Sequence, residues 1–187
     1  SLVYSMYDYR VNLMRDAGFS LNSVIKNWNL KHEFQLYANN TNTLIFGLSS
    51  VFHTITPGQV EATENSSFKP QQLQNRYSLD NALYISNVWK PTSKLNINYG
   101  VRFSAFYLVG PGHFYTYNNG MIVDTTTYKS GEIVKSYLHI EPRLNVSYVF
   151  DAENSVKASL TRNTQNLHVV SNSTSSLPTD IWLSSGT

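Results

Sequence analysis

The chain has 187 residues, a formal net charge of only +2 and no cysteine. That length suffices for one domain with a sizeable core. So small a charge, with no cluster of Lys and Arg, points away from nucleic acid, and the missing cysteines exclude a disulfide scaffold and a thiolate zinc site. Charged residues make up 14% of the chain and aromatics 13%, with tyrosine the commonest ring. This balance suits sheets with amphipathic surfaces better than a helical enzyme. There is no apolar run of the roughly 18 residues that a membrane-spanning helix requires. A membrane β-barrel is untouched by that observation, because alternation hides its apolar face from any average; the mean hydropathy of −0.29 fits such a barrel or a soluble β protein. The chain opens at Ser1 without Met or a signal-peptide pattern and ends in Ser-Ser-Gly-Thr. It reads as a piece of something longer or as a processed chain.

Alternation of apolar and polar residues, the mark of a strand with two unlike faces, places seven strands. The first, near 2–15, alternates poorly at Met6, Asp8, Arg10 and Asn12. Asp16-Ala17-Gly18 is a short connection to the second, near 24–38, where Trp28, Leu30, Phe34, Leu36 and Ala38 share a face interrupted by His32. Asn39 to Asn42 is a tight turn of residues that tolerate left-handed backbone. The third strand, near 43–53, sets Leu44, Phe46, Leu48, Ser50 and Phe52 on one face, and the pattern then dissolves into a long loop near 54–75. The fourth lies near 76–89, followed by the short turn Lys90-Pro91-Thr92-Ser93. The fifth, near 94–107, is the clearest: Leu95, Ile97, Tyr99, Val101, Phe103, Ala105 and Tyr107 on one side, polar residues on the other, and Phe106 the only exception. A long loop near 108–136 contains a hairpin signal at Asn119-Gly120. The sixth strand is near 137–150, a short turn covers Asp151 to Asn154, and the seventh runs near 155–168 before a tail near 171–187.

After the second strand the connections alternate short and long. Outer-membrane barrels show this asymmetry between periplasmic turns and external loops, and soluble sandwiches do not keep it so strictly. Aromatics cluster at both ends of the apolar faces: Trp28, Phe52, Tyr77 and Tyr107 near the long loops, Trp89, Tyr148 and Phe150 near the short turns. Two such belts suit two membrane interfaces. The fold expected is an all-β antiparallel up-and-down meander of about seven long strands, part of a large transmembrane barrel. An isolated piece of this kind, with open edges and an uncovered apolar face, is expected to aggregate or oligomerise.

The opposite face carries Lys31, Glu33, Arg76, Asp80, Arg102, Glu141 and Arg143 among many Asn, Gln and Ser. Both signs are present, so this is a wet, mixed lumen wall and not a single-sign filter. Arg102, Glu141 and Arg143 are candidate wall or plug contacts, with a cross-strand ion pair the bland alternative to a ligand contact. His32, His53, His113, His139 and His168 fall on separate segments and form no metal spacing. Catalytic motifs are absent, so no catalytic residue, no cofactor and no metal site is assigned. The most recognition-like segment contains His113, Phe114, Tyr115 and Tyr117, whose rings and edges suit stacking and hydrogen bonding to a ligand. Packing of that loop on its neighbours is the equally good alternative.

The segments L-N-I-N-Y-G-V-R-F-S-A-F, Y-L-H-I-E-P-R-L-N-V-S-Y and S-V-K-A-S-L-T-R-N-T-Q-N-L-H-V-V-S-N-S-T, with the tail S-L-P-T-D-I-W at Ser176 to Trp182, resemble barrel strands of TonB-dependent outer-membrane receptors of the Bacteroidetes type. The resemblance covers most of residues 76–187, and the first 75 by pattern only; its most specific parts are Glu141-Pro142-Arg143 and Asn166 to Thr174. Pro142 in mid-strand, which lacks a ladder donor, normally marks a bulge or an edge. The resemblance implies a barrel of about 22 strands in the Gram-negative outer membrane, closed by a plug. Its partners would be outer-membrane lipid, the plug and remaining strands of the same protein, a TonB-type energy complex and an imported ligand. This chain contains neither a recognisable plug nor a TonB-contact segment, and seven strands cannot close so wide a barrel. A soluble cell-surface adhesion or glycan-binding domain and a passive porin are the alternatives.

Overall fold

Alternation along the chain is realised as one large antiparallel sheet. The computed structural model describes residues 1–13, 19–62, 73–170 and 181–185. Its strands are β1 (Leu2–Leu13), β2 (Phe19–Asn39), β3 (Asn42–Ala62), β4 (Arg76–Trp89), β5 (Leu95–Val109), β6 (Gly112–Asn118), β7 (Met121–Tyr128), β8 (Ile133–Val149), β9 (Ser155–Thr161), β10 (Leu167–Val170) and β11 (Ile181–Ser184). Seven of them form a meander in the order β1-β2-β3-β4-β5-β8-β9, and β6-β7 and β10-β11 are separate hairpins. The described chain is all-β and the sheet is open.

The short turns are closed by side-chain oxygens. Asn39 Oδ1 accepts from Thr41 N at 2.9 Å and Thr41 Oγ1 at 2.8 Å. Thr92 Oγ1 accepts from Leu95 N at 3.1 Å, and Asp151 Oδ1 from Glu153 N and Asn154 N at 2.9 and 2.8 Å. Each supplies the acceptor that a tight turn leaves its amides without. Hydrogen bonds from Asn154, with those from the turn amides, hold the exposed Asp151 carboxyl below its ordinary pKa.

The strands outrun their sequence signals at the long-loop end. β3 continues to Ala62, although Pro57 and Gly58 break the pattern there. The pairing with β2 shifts between Asn22 and Val24, so Pro57-Gly58 sits at a bulge, where a missing ladder donor is tolerated. The hairpin signal at Asn119-Gly120 becomes β6-β7, with φ of 51° and 80° at the two turn residues, as a two-residue hairpin turn requires. β9 stops at Thr161, short of the expected 168. Pro142 explains this. Its carbonyl accepts from Arg162 N, so its donorless side faces β9, not β5, and pairing has no bond to gain beyond that point. Proline in this central strand therefore needs no bulge; it stands where the neighbouring strand ends. The connection at Asp16 to Gly18 and most of the tail near 171–187 lie outside the described residues.

Directly paired residues share a face, so the register assigns every side chain. One face carries Trp28, Leu30, Phe34, Phe46, Leu48, Leu83, Ile85, Val101, Phe103, Ile140 and Leu144; the other carries Lys31, Glu33, Ser49, Tyr84, Arg102, Glu141 and Arg143. Burial falls mainly on the polar face, with Asn87 and Val109 the exceptions on the other. Ile25, Ile55, Ser78, Ala82, Ser104, Phe106, Leu108 and Glu141 are buried on the polar face. The apolar face is open: Leu83 is 62% exposed, Phe103 52%, Ile140 55% and Leu138 75%. The whole surface, 12925 Å², exceeds the roughly 9,100 Å² expected of a closed soluble monomer of 21.2 kDa.

Phe106, the exception in the alternation, is 0% exposed on the polar face and packs on Tyr137 at 6.5 Å between ring centroids. Phe106→Ala is expected to lower stability by about 3–5 kcal/mol, measured by urea unfolding in detergent. Phe103→Ala on the open face is expected to cost clearly less in the same assay.

Candidate functional site: the polar wall and the projecting hairpin

Glycine makes the centre of the polar wall. A Cβ at Gly47 would stand 2.6 Å from Tyr84 Oη and 2.8 Å from Tyr84 Cζ, so the tyrosine ring lies on the bare backbone of β3. Its hydroxyl thereby crosses β3 and donates to Glu33 Oε2 on β2 at 2.7 Å. Glu33 also pairs with Lys31 Nζ at 3.1 Å, and this is the only ion pair among the described residues.

The expected cross-strand pair forms in register but not in chemistry. Arg102 stands directly opposite Glu141, yet Glu141 Oε1 accepts hydrogen bonds from Ser104 Oγ and Thr164 Oγ1, both at 2.7 Å. The guanidinium of Arg102 instead reaches Ser49 Oγ at 3.4 Å, a long contact. Arg143 faces Gly100 across the same pair of strands. Arg102 and Arg143 line one open concavity of about 430 Å³ together with Asn29, Lys31, Glu33, Ser49, Tyr84 and Ser86. Glu141, by contrast, is buried beneath the segment that follows β9.

That segment was not legible as a covering element. After Arg162 the chain leaves the sheet and folds over the polar face: Thr164 holds Glu141, Asn166 Oδ1 meets His139 Nε2 at 3.3 Å, and β11 packs against β3. Its Thr, Asn and Gln read as an unremarkable polar strand end. The only cue was Pro142, on the neighbouring strand β8.

The four recognition candidates all lie on β6. Phe114 is half-buried and engaged by its neighbours: Arg76 stacks on it at 4.4 Å, and Tyr128 meets it edge-on at 5.6 Å. His113 is also committed, its Nδ1 bonded to Thr127 Oγ1 at 2.8 Å and its amide donating to Gln74 Oε1 at 2.8 Å. Tyr115 and Tyr117 are exposed, and with Met121, Ile122 and Val123 they give the hairpin an apolar tip. The structure thus divides the loop: His113 and Phe114 anchor the hairpin to the start of β4, and Tyr115 and Tyr117 project. No three His, Asp or Glu side chains converge into a metal site among the described residues.

No protein-family model, no curated protein and no solved structure matches this chain.

If Thr164 ties the covering segment to Glu141, Thr164→Val removes one charge-assisted bond, a loss of roughly 1.5–3 kcal/mol. Amide exchange at Gln165 to His168 is expected to quicken about tenfold or more, read by mass spectrometry, while β5 amides stay unchanged.

Proposed function

We propose that the chain is part of the wall of an outer-membrane β-barrel of the TonB-dependent type, with its apolar face against lipid and its polar face toward the lumen. The observation that carries this reading is the inverted burial: Leu83, Phe103, Leu138 and Ile140 are uncovered while Ser104, Phe106 and Glu141 are buried. In water such a face is strongly unfavourable, since soluble monomers expose at most a few hundred Å² of contiguous apolar surface. In lipid it needs no cover.

Dimensions support it. On β4, Tyr77 and Trp89 lie about 40 Å apart along the strand at roughly 3.4 Å per residue. At a tilt of about 45° this spans roughly 28 Å, close to a bilayer's hydrocarbon thickness. At the long-loop end Tyr4, Trp28 and Phe52 are paired neighbours on the apolar face, with Tyr4 and Trp28 rings 4.8 Å apart. Tyr148 and Phe150 meet at 4.9 Å near the other end. The function that follows is uptake: loops beyond β3 and β5 capture a ligand, a plug elsewhere in the protein moves aside, and the ligand passes along the polar wall. A soluble adhesion domain needs a second layer over the apolar face, and no described element lies there.

The chain's lack of cysteine makes the test direct. Single cysteines at Leu83, Ile140, Asn98 and Ser86 carry a nitroxide label in the lipid-reconstituted protein. Labels at Leu83 and Ile140 are expected to be accessible to oxygen and shielded from a polar nickel relaxant, with the reverse at Asn98 and Ser86. Leu83 and Ile140 shielded from both reagents would mean a protein layer covers that face, and the barrel reading would fall.

A further inference from the structure

We propose that the concavity on the polar face between β2 and β8 is an oxyanion site, in which Arg102 and Arg143 hold a carboxylate or phosphate group. The inference goes beyond the barrel reading and does not rest on it, because it concerns only the polar face.

The charges decide it. Lys31 is matched by Glu33 at 3.1 Å, and Glu33 is further engaged by Tyr84. Glu141, the register partner of Arg102, has Oε1 taken by the Ser104 and Thr164 hydroxyls. Neither arginine has an ion-pair partner among the described residues. Two guanidinium groups therefore line one space without an ion-pair partner among the described residues, although the Glu141 carboxylate is near enough to attract both. Guanidinium is the group to expect there, since its planar fork matches carboxylate and phosphate oxygens where a lysine offers only a point charge.

The surroundings fit the same ligand. Gly100, opposite Arg143, puts no side chain into the space. Ser49, Ser86 and Tyr84 line it with hydroxyls that can serve neutral edges of the same molecule. The volume of about 430 Å³ lies within the range of small-molecule sites. Other residues of the wall also face inward: Asp80 and His139 lie nearer the long-loop end, beyond the row of Arg102 and Glu141, with the Asp80 carboxyl still near enough to attract Arg102.

The test is calorimetric titration of the detergent-solubilised chain with inorganic phosphate and, separately, with citrate at low ionic strength. Saturable binding of at least one probe is expected, phosphate alone marking a phosphoryl ligand and citrate alone a carboxylate. Arg102→Gln and Arg143→Gln should each weaken it about tenfold or more, and Arg143→Lys should weaken it less. Lys90→Gln, in an exposed turn, should leave it unchanged. Circular dichroism of each variant checks that the sheet is intact, and Arg143→Lys keeps the charge should a glutamine variant fail to fold. Absence of saturable binding for both probes overturns the proposal. So does full affinity in the Arg102→Gln/Arg143→Gln protein, or an equal loss in Lys90→Gln.

Discussion

The constraint on which everything else depends is the strict two-residue period of the strands. A slip of one residue between neighbours would carry an entire row of leucines and phenylalanines to the other face. Between Trp28 and Leu36 on β2, and between Ile97 and Tyr107 on β5, the register runs without a shift. The shifts that do occur within the seven-stranded sheet, at Asn22/Val24, Tyr37/Asn39 and Leu108/Val109, lie at the ends of the strands, outside the aliphatic band. The apolar rows are therefore continuous across the sheet. Irregularity is confined to where the strands meet turns or outer segments, and there a twist or a bulge does not break the face.

The polar face is organised by the opposite means, local exceptions rather than repetition. Gly47 lets Tyr84 lie flat and reach Glu33 across an intervening strand. Glu141 is withdrawn from Arg102 by two hydroxyls, one of them from a segment outside the sheet. Phe106 breaks the alternation and becomes one of the most buried side chains. The first two exceptions replace a generic cross-strand contact with a longer-range one, while Phe106 packs on its register partner Tyr137. That is why this face carries a shaped concavity, while the apolar face presents mostly large side chains in regular rows.

Strand identity was legible wherever alternation was clean. The fifth and sixth expected strands lie within one or a few residues of β5 and β8, because Leu95 to Tyr107 and Leu138 to Phe150 state their period without help from context. β3 was cut short because Pro57-Gly58 is a breaker in isolation, and only the partner strand turns it into a bulge. The end of β9 was misplaced for the converse reason. Nothing in Ser159 to Gln165 stops a strand, and the stop lies in Pro142 of the neighbouring strand. Of the candidate residues, Arg102, Glu141 and Arg143 share one polar face of the sheet, but their bonding was not legible, since it depends on Ser49, Ser104 and Thr164 from other segments. The hairpin aromatics were legible as a group and not in their division, which Arg76 and Tyr128 decide.

The same register bears on what must adjoin the sheet. β1 and β9 are its edges, and each presents a row of backbone groups with no partner among the described residues. In water such edges are a hazard that invites pairing between copies. In the hydrocarbon of a bilayer they are worse, because each unpaired amide or carbonyl there costs several kcal/mol with no water to relieve it. If Leu83, Phe103 and Ile140 face lipid, both edges need strands alongside them through the whole aliphatic band. The departure of the chain after Thr161 sharpens this requirement. Beyond Pro142, β8 itself has no strand partner on its β9 flank among the described residues, and Glu141 and His139 there are met by Thr164 and Asn166 on the polar side. A lipid-facing sheet thus demands a further strand that continues past the end of β9 and closes the flank that Pro142 left without a donor.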